Sequence, residues 1–501
     1  MLDMPPQTGD AAGLNSAPPA VHASAQAGPY SSDFLRMQSL AGRGMAQAQY
    51  NLGVMLQKGQ GVAQDLAAAA EWYERAAGQG YAPAQYNLGW LYAKGQGVAG
   101  DVARALHWFT QAAMQGEPGA QHNLGMMYET GKGVAQDLEA AFGWYRRAAS
   151  QGHVRSQFHL ALRYDSGQGV ARDPAQALDW LRKAASQGHA PAQFNLGLRY
   201  DKGQDLVQDS AQALLWYGRA AEQGHASSQF NLALIHDAGH GVARDEALAL
   251  AWYRRAAEQG HAGAQDSLGM RHEHGQGVER DAAQAAQWYR RAAEQGLPAA
   301  QYHLGQLLDS GNGVGQDQQQ ASAWYRHAAE QGHLRAQFDL GLRLDAGIGV
   351  AADARQALAW YRRAAAQNYA PAQYMVGALI DRLDAGTPGE AADWFHKAAE
   401  QGHALAQFEL GLRYDCGKGV ERDYEAAHFW YLCAARQGHA RAQFNLGVMY
   451  AAGQGVGRDL VEAYVWLHRA GGSGVGPAAG YLDKIAVRME PQLLAQAKRL
   501  L

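Results

Sequence analysis

The chain has 501 residues, far more than the roughly 100 to 200 residues of an ordinary single domain. Its 43 basic residues nearly balance its 47 acidic residues, which argues against nonspecific nucleic-acid binding, so we expect no nucleic-acid partner. The 13 tryptophans and 24 tyrosines exclude a chain that is disordered throughout.

The first 30 residues hold five of the 14 prolines and show no apolar periodicity, which predicts a disordered tail at 1–30. Residues 31–44 resemble a degenerate helix, and we expect them to form an amino-terminal capping helix. The amino terminus lacks the basic start and apolar core of a secretion signal, and no apolar run approaches the roughly 18 residues of a membrane span. We therefore expect a soluble, cytoplasmic protein.

A regular tryptophan spacing follows the tail. Twelve of the 13 tryptophans, all except Trp90, form a series in which ten intervals are 36 residues long and one is 34. A fixed period of this length is typical of a solenoid, in which each repeat buries its apolar face only against its neighbours. We predict an all-α chain with twelve repeats at 45–470 and capping helices at 471–501. The tryptophans are Trp72, Trp108, Trp144, Trp180, Trp216, Trp252, Trp288, Trp324, Trp360, Trp394, Trp430 and Trp466.

One repeat, residues 45–80, shows two helical segments. Apolar residues around Leu52 recur at helical spacing in a first helix, called helix A, which ends at Lys58. Asp65 stands at the N-cap position of a second helix, called helix B, which ends at Gln79 before a glycine. The repeat is therefore predicted to be a pair of helices joined by a Gly-x-Gly-Val turn.

Gly53 of helix A recurs in most repeats, and only Ala161 and Ala233 replace it. Glycine inside a helix costs about 1 kcal/mol relative to alanine, so we expect another part of the chain to pack closely there. The small Ala76 and Ala77 of helix B are the predicted neighbours.

The tenth repeat is two residues shorter and lacks the Gly-x-Gly-Val turn. The segment Thr387-Pro388-Gly389-Glu390 is expected to form a capping box with Pro388 at the first helical position. Because only this loop is shortened, we predict a weak segment of the array at residues 381–392.

The unit A-x-A-Q-Y-N-L-G-x-x-Y-x-x-G-x-G-V-x-x-D, followed by W-Y-x-x-A-A-x-Q-G-H, closely resembles the Sel1-like repeat. The resemblance implies an α/α solenoid related to tetratricopeptide arrays, a superhelix with helices A on its concave side. It also implies a scaffold or adaptor in protein complexes, mostly bacterial, and offers no catalytic residue. One cysteine-rich branch of the family is linked to β-lactam binding or hydrolysis, but this chain has only Cys416 and Cys433.

No catalytic or cofactor motif occurs in the sequence, so we expect no catalytic residue, cofactor or metal. The best metal candidate is His236 and His240 with the segment His272-Glu273-His274 one repeat later. We interpret His236 and His272 as replacements for the tyrosine usual at that position. Histidines that follow Gln-Gly occur once per repeat, about 10 Å apart, and cannot share a metal.

Projection of helix A places Asn51 and Met55 in an open window between two packed faces, one of which contains Val54. We predict that the equivalent residues line the concave groove and bind a partner. The candidate partner-binding residues are Asn51, Met55, Asn87, Leu91, Asn123, Met127, His159, Arg163, Asn195, Arg199 and Arg271.

Arginines enter this stripe from the fourth repeat onward. Arg163, Arg199 and Arg271 either contact an acidic partner segment or are solvated or paired within the protein, and the sequence leaves both open. Their partners within the protein would be the nearby Asp165, Asp201 and Glu273 or acids of an adjacent repeat. Arg343 and Arg413 have an acid four residues earlier, so we expect ion pairs within the helix.

The leading function is a noncatalytic interaction scaffold that binds a peptide or partner domain in the concave groove. The alternative is an inhibitor or immunity protein that occludes a partner enzyme. A hydrolase of the β-lactam kind is the third candidate and has the least support.

Overall fold

The computed structural model describes residues 31–387 and 389–501, which contain 27 helices and no strand. The predicted tail at 1–30 and Pro388 lie outside the described residues. The chain divides into two compact units, one ending at Ala256 and one beginning at Ala257.

The helices of the first unit are α1 (Ser32–Gly42), α2 (Ala46–Lys58), α3 (Leu66–Gly78), α4 (Ala82–Lys94), α5 (Val102–Met114), α6 (Pro118–Thr130), α7 (Leu138–Ser150), α8 (Val154–Ser166), α9 (Pro174–Ser186), α10 (Ala190–Lys202), α11 (Ser210–Glu222), α12 (Ala226–Ala238) and α13 (Glu246–Glu258). Helix α13 extends two residues beyond the end of this unit at Ala256. The helices of the second unit are α14 (Ala262–His274), α15 (Ala282–Glu294), α16 (Pro298–Ser310), α17 (Gln318–Glu330), α18 (Leu334–Ala346), α19 (Ala354–Ala366), α20 (Ala370–Leu383), α21 (Glu390–Glu400), α22 (Ala404–Cys416), α23 (Tyr424–Arg436), α24 (Ala440–Ala452), α25 (Leu460–Gly472), α26 (Pro477–Ala486) and α27 (Pro491–Arg499). From α2 to α25 they alternate as helices A and B, and within each unit helices that are consecutive in sequence pack together. The predicted α/α solenoid of helix pairs is confirmed.

Local interactions set the helix boundaries. Helix α2 ends at Lys58, as predicted, and Gly59 follows in the left-handed conformation with φ of 69°. The Asp65 carboxylate accepts a hydrogen bond from the backbone N–H of Ala68 at 2.9 Å and caps α3. The backbone N–H of Asp65 donates to the carbonyl oxygen of Leu56 at 3.0 Å, which closes the loop between the two helices.

Gly53 has a close neighbour on helix B, but that neighbour is Tyr73 and not the alanine pair that we expected. A Cβ atom on Gly53 would lie 2.6 Å from the Tyr73 ring, which is fully buried. In the fourth repeat Leu181 stands at the tyrosine position and Ala161 at the glycine position. The missing side chain of Gly53 makes room for the Tyr73 ring between the two helices, although the sixth repeat combines Ala233 with the buried Tyr253.

The Gly-x-Gly turn brings each loop against the preceding repeat. Gly97 has φ of 72°, and a Cβ atom there would lie 2.2 Å from the carbonyl oxygen of Leu66 at the start of α3. Glycine adopts this backbone conformation without strain and leaves room for the close approach, although Asp205 takes the equivalent position in the fifth repeat with φ of 60°. The turn is therefore a packing element between repeats.

A buried glutamine on helix A connects three helices in most repeats. Gln85 on α4 donates to the carbonyl oxygen of Ala77 on α3 at 3.1 Å and accepts from the side chain of Gln115 at 2.7 Å. Gln115 is the C-cap of α5. Gln301 makes the same two contacts in the second unit. These bonds satisfy the buried amide and tie the carboxyl ends of successive helices B together.

The tenth repeat departs from the pattern at the predicted place. Helix α20 has 14 residues, and Asp384 ends it with φ of 50°. Helix α21 begins at Glu390 after the N-cap Gly389, which provides no side-chain cap. The predicted capping box forms only in part, because the Glu390 carboxylate accepts from the backbone N–H of Thr387 at 3.2 Å but Thr387 is not the N-cap.

Helices outside the repeats pack at both ends of the described chain. Helix α1 packs on α2 and buries Phe34 and Ala41. Helices α26 and α27 both contact α25 and bury Ile485 and Ala497.

Candidate functional site

The predicted stripe on helix A is largely buried. The expected open window is closed at the position equivalent to Met55. Long side chains at this position pack on helix B of the preceding repeat. The Arg343 guanidinium, for example, lies 4.8 Å from the centre of the Tyr325 ring. Of the candidate residues, Asn87, Leu91, Asn123, Met127, Arg163, Arg199 and Arg271 are buried, and Asn51, Met55, His159 and Asn195 are half-buried.

Arg199 on α10 reaches back to the preceding repeat. Its side chain forms ion pairs with Asp165 of α8 at 2.8 Å and with Asp205 at 3.0 Å, and the residue is only 7% exposed. Arg163 pairs in the same way with Glu129 of α6. The second alternative that the sequence left open, pairing with an adjacent repeat, is therefore present for both arginines.

The predicted ion pairs within helices of the second unit are wrong. Arg343 pairs with Asp309 of the preceding helix A and not with Asp339 four residues before it. Arg413 likewise pairs with Asp381 of the preceding repeat. The arginines extend sideways because an aromatic ring of the preceding helix B and an acid of the preceding helix A lie there together.

Arg271 is buried, and its guanidinium donates to the carbonyl oxygen of Gln276 at 3.3 Å. Contact of Arg163, Arg199 and Arg271 with a partner stays a prediction. Their burial leaves the three guanidinium groups little surface to offer.

The half-buried candidates have neighbours within the protein. The Asn195 amide donates to the carbonyl oxygen of Pro191 at 2.8 Å. The His159 ring stacks on Tyr145 with a centroid distance of 4.9 Å, and burial lowers the pKa of His159. Both residues therefore contribute to packing between repeats.

An acid two positions after the predicted stripe occurs in every repeat from the third to the eleventh. Four of these acids form an ion pair with the arginine of the following repeat: Glu129 with Arg163, Asp165 with Arg199, Asp309 with Arg343 and Asp381 with Arg413. Where the following repeat has an apolar residue in place of the arginine, a tyrosine can donate a hydrogen bond to the acid. Leu307 stands at the arginine position of the repeat after Glu273, and Glu273 accepts a hydrogen bond from the hydroxyl of Tyr289 at 2.7 Å. The acids are Glu129, Asp165, Asp201, Asp237, Glu273, Asp309, Asp345, Asp381 and Asp415.

Leucines, one position before the predicted stripe, are the exposed apolar residues of helix A. Four of them are between 37% and 43% exposed, and a fifth is half-buried. Val54 and Trp90, at the equivalent position of the first two repeats, pack against the core, so this position is exposed only in later repeats. The polar residue Gln306 at the same position is the feature of the sequence that indicates solvent exposure there. We call these residues the leucine stripe: Leu162, Leu198 and Leu234 in the first unit and Leu342 and Leu412 in the second.

Each unit has a cleft beside the leucine stripe. In the first unit a small cleft of about 60 Å³ over α8 and α10 includes Leu162, Leu198, Asn195 and Arg199. In the second unit a cleft of about 750 Å³ over α14, α16 and α18 includes Leu342. The small cleft thus contains two of the predicted partner-binding residues.

The histidines that follow Gln-Gly are N-caps of helices A. The ring nitrogen Nδ1 of His189 accepts from the backbone N–H of Ala192 at 3.3 Å. Burial, with a contribution from Arg155, lowers the pKa of His189 to about 4, so the ring is neutral and can accept this bond near neutral pH. Burial also lowers the pKa of the equivalent caps His261, His333, His403 and His439.

The described residues offer no group of three or more His, Cys, Asp or Glu side chains arranged to hold a metal ion. Cys416 and Cys433 are both free thiols. Within residues 31–387 and 389–501, every helix is too short or too polar to cross a membrane.

Comparison with known proteins identifies the repeats. The family model described as the Sel1 repeat matches twelve consecutive stretches, at residues 46–81, 82–117, 118–153, 154–189, 190–225, 226–261, 262–297, 298–333, 334–369, 370–403, 404–439 and 440–475.

Solved structures and curated proteins were also compared with the chain. A protective antigen with an SLR fold, present in uropathogenic Escherichia coli strains, is 35% identical over 93% of this chain and 93% of its own, with a TM-score of 0.56. A Sel1 repeat protein from Oxalobacter formigenes is 33% identical over 66% of this chain and 94% of its own, with a TM-score of 0.46. An immunity protein from Pseudomonas aeruginosa is 24% identical over 42% of this chain and 81% of its own, with a TM-score of 0.30. No curated protein matches the chain.

Proposed function

The chain belongs to the Sel1 repeat family, and from that premise we propose that it is a noncatalytic scaffold that binds a protein or peptide along its helices A. Sel1-repeat proteins are generally protein-interaction scaffolds. The observation that carries the proposal for this chain is the leucine stripe, which presents apolar side chains to solvent at one position of helix A in the fourth and sixth repeats of the first unit and in the ninth and eleventh repeats of the second.

An apolar surface of this kind is suited to a protein partner. Scattered exposed leucines are ordinary, whereas apolar residues gathered on one face mark interaction sites. The clefts beside the stripe add concave surface in each unit. A partner side chain that enters such a cleft is desolvated, which is typical of the residues that dominate binding energy.

The predicted stripe residues have a supporting place in this proposal. Asn195 and Arg199 line the small cleft between Leu162 and Leu198, so a partner on these leucines would pass beside them. The ion pairs of Arg163 and Arg199 join neighbouring helices A and thereby fix the spacing of the leucines. A preformed spacing reduces the entropy that binding costs.

The test compares two pairs of leucines with the same exposure. Leu162 and Leu234 of the stripe are 37% and 43% exposed, and Leu248 and Leu215 on helices B are also 37% and 43% exposed. The full chain with both stripe leucines changed to serine is used for affinity capture from its own organism, beside the wild type and the Leu215→Ser/Leu248→Ser control. We expect proteins captured by the wild type and the control to fall at least tenfold with the stripe variant.

Equal capture by all three proteins would reject the leucine stripe as the binding surface. A melting curve of each variant shows whether any loss reflects unfolding. The inhibitor or immunity role stays a prediction, and it requires that a captured partner be an enzyme whose activity falls when the complex forms.

A further inference from the structure

The cleft of the second unit has an acidic lining and an apolar rim. It lies over three consecutive helices A, and its volume of about 750 Å³ is within the 300 to 1,000 Å³ typical of ligand pockets. Three carboxylates and one guanidinium line it, together with the apolar side chains of Leu307, Leu342 and Ile348. The charged residues are Glu273, Asp309, Asp339 and Arg343.

Only one of the three carboxylates has its charge balanced by a salt bridge with another described residue. Asp309 pairs with Arg343. Glu273 and Asp339 instead accept hydrogen bonds from the hydroxyl groups of Tyr289 and Tyr302, at 2.7 Å and 2.9 Å. A neutral hydroxyl donor satisfies a lone pair but leaves the negative charge in place.

A single sequence change explains why Glu273 lacks a salt bridge. Leu307 on α16 occupies the position that Arg343 occupies on α18. Because Arg343 neutralises the acid of the repeat before it, Leu307 leaves Glu273 without the equivalent cation. The eighth repeat therefore replaces a charge-balancing arginine with an apolar side chain, and this is where the large cleft is found.

The surroundings of Asp339 favour a cation as well. Burial raises the pKa of its carboxyl group, although Tyr302, Arg343 and Arg335 lower it. A positive charge in the cleft would stabilise the ionised form of this partly desolvated acid.

We propose that this cleft binds a partner segment in which a lysine or arginine adjoins an apolar residue. The basic side chain enters the cleft and pairs with the carboxylates that lack a salt bridge, and the apolar residue contacts Leu342 and Ile348. The inference rests on the proposed function and adds the chemistry of the partner. It reverses the sign of the partner expected from the arginines of the stripe, because Arg163 and Arg199 already form ion pairs within the protein.

The experiment selects peptides from a phage-displayed random 12-residue library on the full chain and measures binding of the recovered peptides by fluorescence anisotropy. We expect enriched sequences to contain Lys or Arg next to Leu, Ile or Phe. The double variant Glu273→Gln/Asp339→Asn should bind them at least tenfold more weakly, and binding should weaken with added salt. The matched control Glu294→Gln/Glu330→Gln removes two exposed acids from helices B of the same region and should bind as the wild type does.

A second measurement leaves the protein unchanged. Replacement of the basic residue in the peptide by glutamine should produce the same tenfold loss, so the proposal can be judged even if the protein variant folds poorly. Selection of no peptide, of peptides without basic residues, or of peptides indifferent to both changes would overturn it. If capture of a partner still depends on Leu162 and Leu234 in those cases, the proposed function stands and only this inference fails.

Discussion

Arg199 combines deep burial with two carboxylate partners, and this combination determines what its removal does. A surface ion pair contributes little, but removal of one member of a buried pair leaves an uncompensated charge. Asp165 and Asp205 are only partly exposed, so Arg199→Ala would leave two acids close together with poor solvation.

We therefore expect Arg199→Ala to lower the free energy of unfolding by about 2 kcal/mol, below the 3 to 5 kcal/mol of fully buried pairs. The change is measured as a shift in the urea midpoint followed by circular dichroism. Arg182→Ala, on the exposed surface of α9, is the control and should alter stability by no more than about 0.5 kcal/mol. An unchanged midpoint for Arg199→Ala would show that the ion pairs are not structural and would favour a ligand contact.

The histidine caps make stability depend on pH. The pKa of His189 falls from 6.5 when unfolded to about 4 when folded, mainly through burial and also through Arg155, His159 and His225. The unfolded chain thus binds more protons between these values, and stability falls as pH falls through this window. Above pH 6.5 both states are neutral at this site and the contribution is fully present.

We expect the wild type to lose more stability between pH 6.5 and pH 4 than His189→Asn, whose side chain caps a helix without titrating in this range. Carboxylates titrate near the lower limit in both proteins, so the difference between the two curves reports His189. Parallel curves would show that the cap is not sensitive to its protonation.

At the scale of elements, the tenth repeat lacks two devices that join the helices of most other repeats. Its loop has no Gly-x-Gly turn against the preceding helix B, and Gly389 does not cap α21 with a side chain. Ion pairs compensate in part: Glu390 pairs with Arg362 at 2.8 Å, and Asp381 pairs with Arg413 and Lys418. These pairs tie residues near the loop to both adjacent repeats but leave the first turn of α21 with fewer backbone partners.

Amide hydrogen exchange should be faster at residues 381–392 than at the corresponding residues 345–358 of the ninth repeat. Local opening follows the weakest unit of a repeat array, and a helix end without a side-chain cap frays more readily. Similar protection of the two segments would mean that the ion pairs fully replace the missing turn and cap.

At the scale of the whole molecule, each of the two units consists of repeats that are joined chiefly to their neighbours in sequence within that unit. Within each unit the substantial packing is between consecutive helices. The hydrogen bonds of the buried glutamines and the ion pairs of the buried arginines also connect adjacent repeats. The stability of such an array is approximately a sum of repeat and interface contributions.

Removal of one complete repeat, residues 298–333, should leave the helical content per residue and a cooperative melt intact. Removal of 298–315 alone deletes one helix A with its loop and places two helices B in succession, so we expect a lower helical content and a broadened melt. Circular dichroism during heating distinguishes the two proteins. An equal loss in both would contradict nearest-neighbour packing.

Sequence periodicity and local chemistry were sufficient for the fold. The tryptophan period, the capping Asp65 and the end of α2 at Lys58 depend on interactions within one repeat, and the structure confirms them. The close contact at Gly53 was predicted from the cost of helical glycine, but its partner Tyr73 was not. Several side chains of helix B could face that glycine, and only the packing of the two helices selects one.

The exposed and buried faces of helix A were decided by the tertiary structure. A projection of one helix treated Met55 and its equivalents as open, whereas stacking buries Arg199 against the acids of the preceding repeat and exposes Leu162 and Leu234. The sequence by itself determined the helix pairs, their number and the positions of the arginines and acids. Which of those charges neutralise one another depends on contacts between residues about 34 positions apart, and these exist only after successive repeats have stacked.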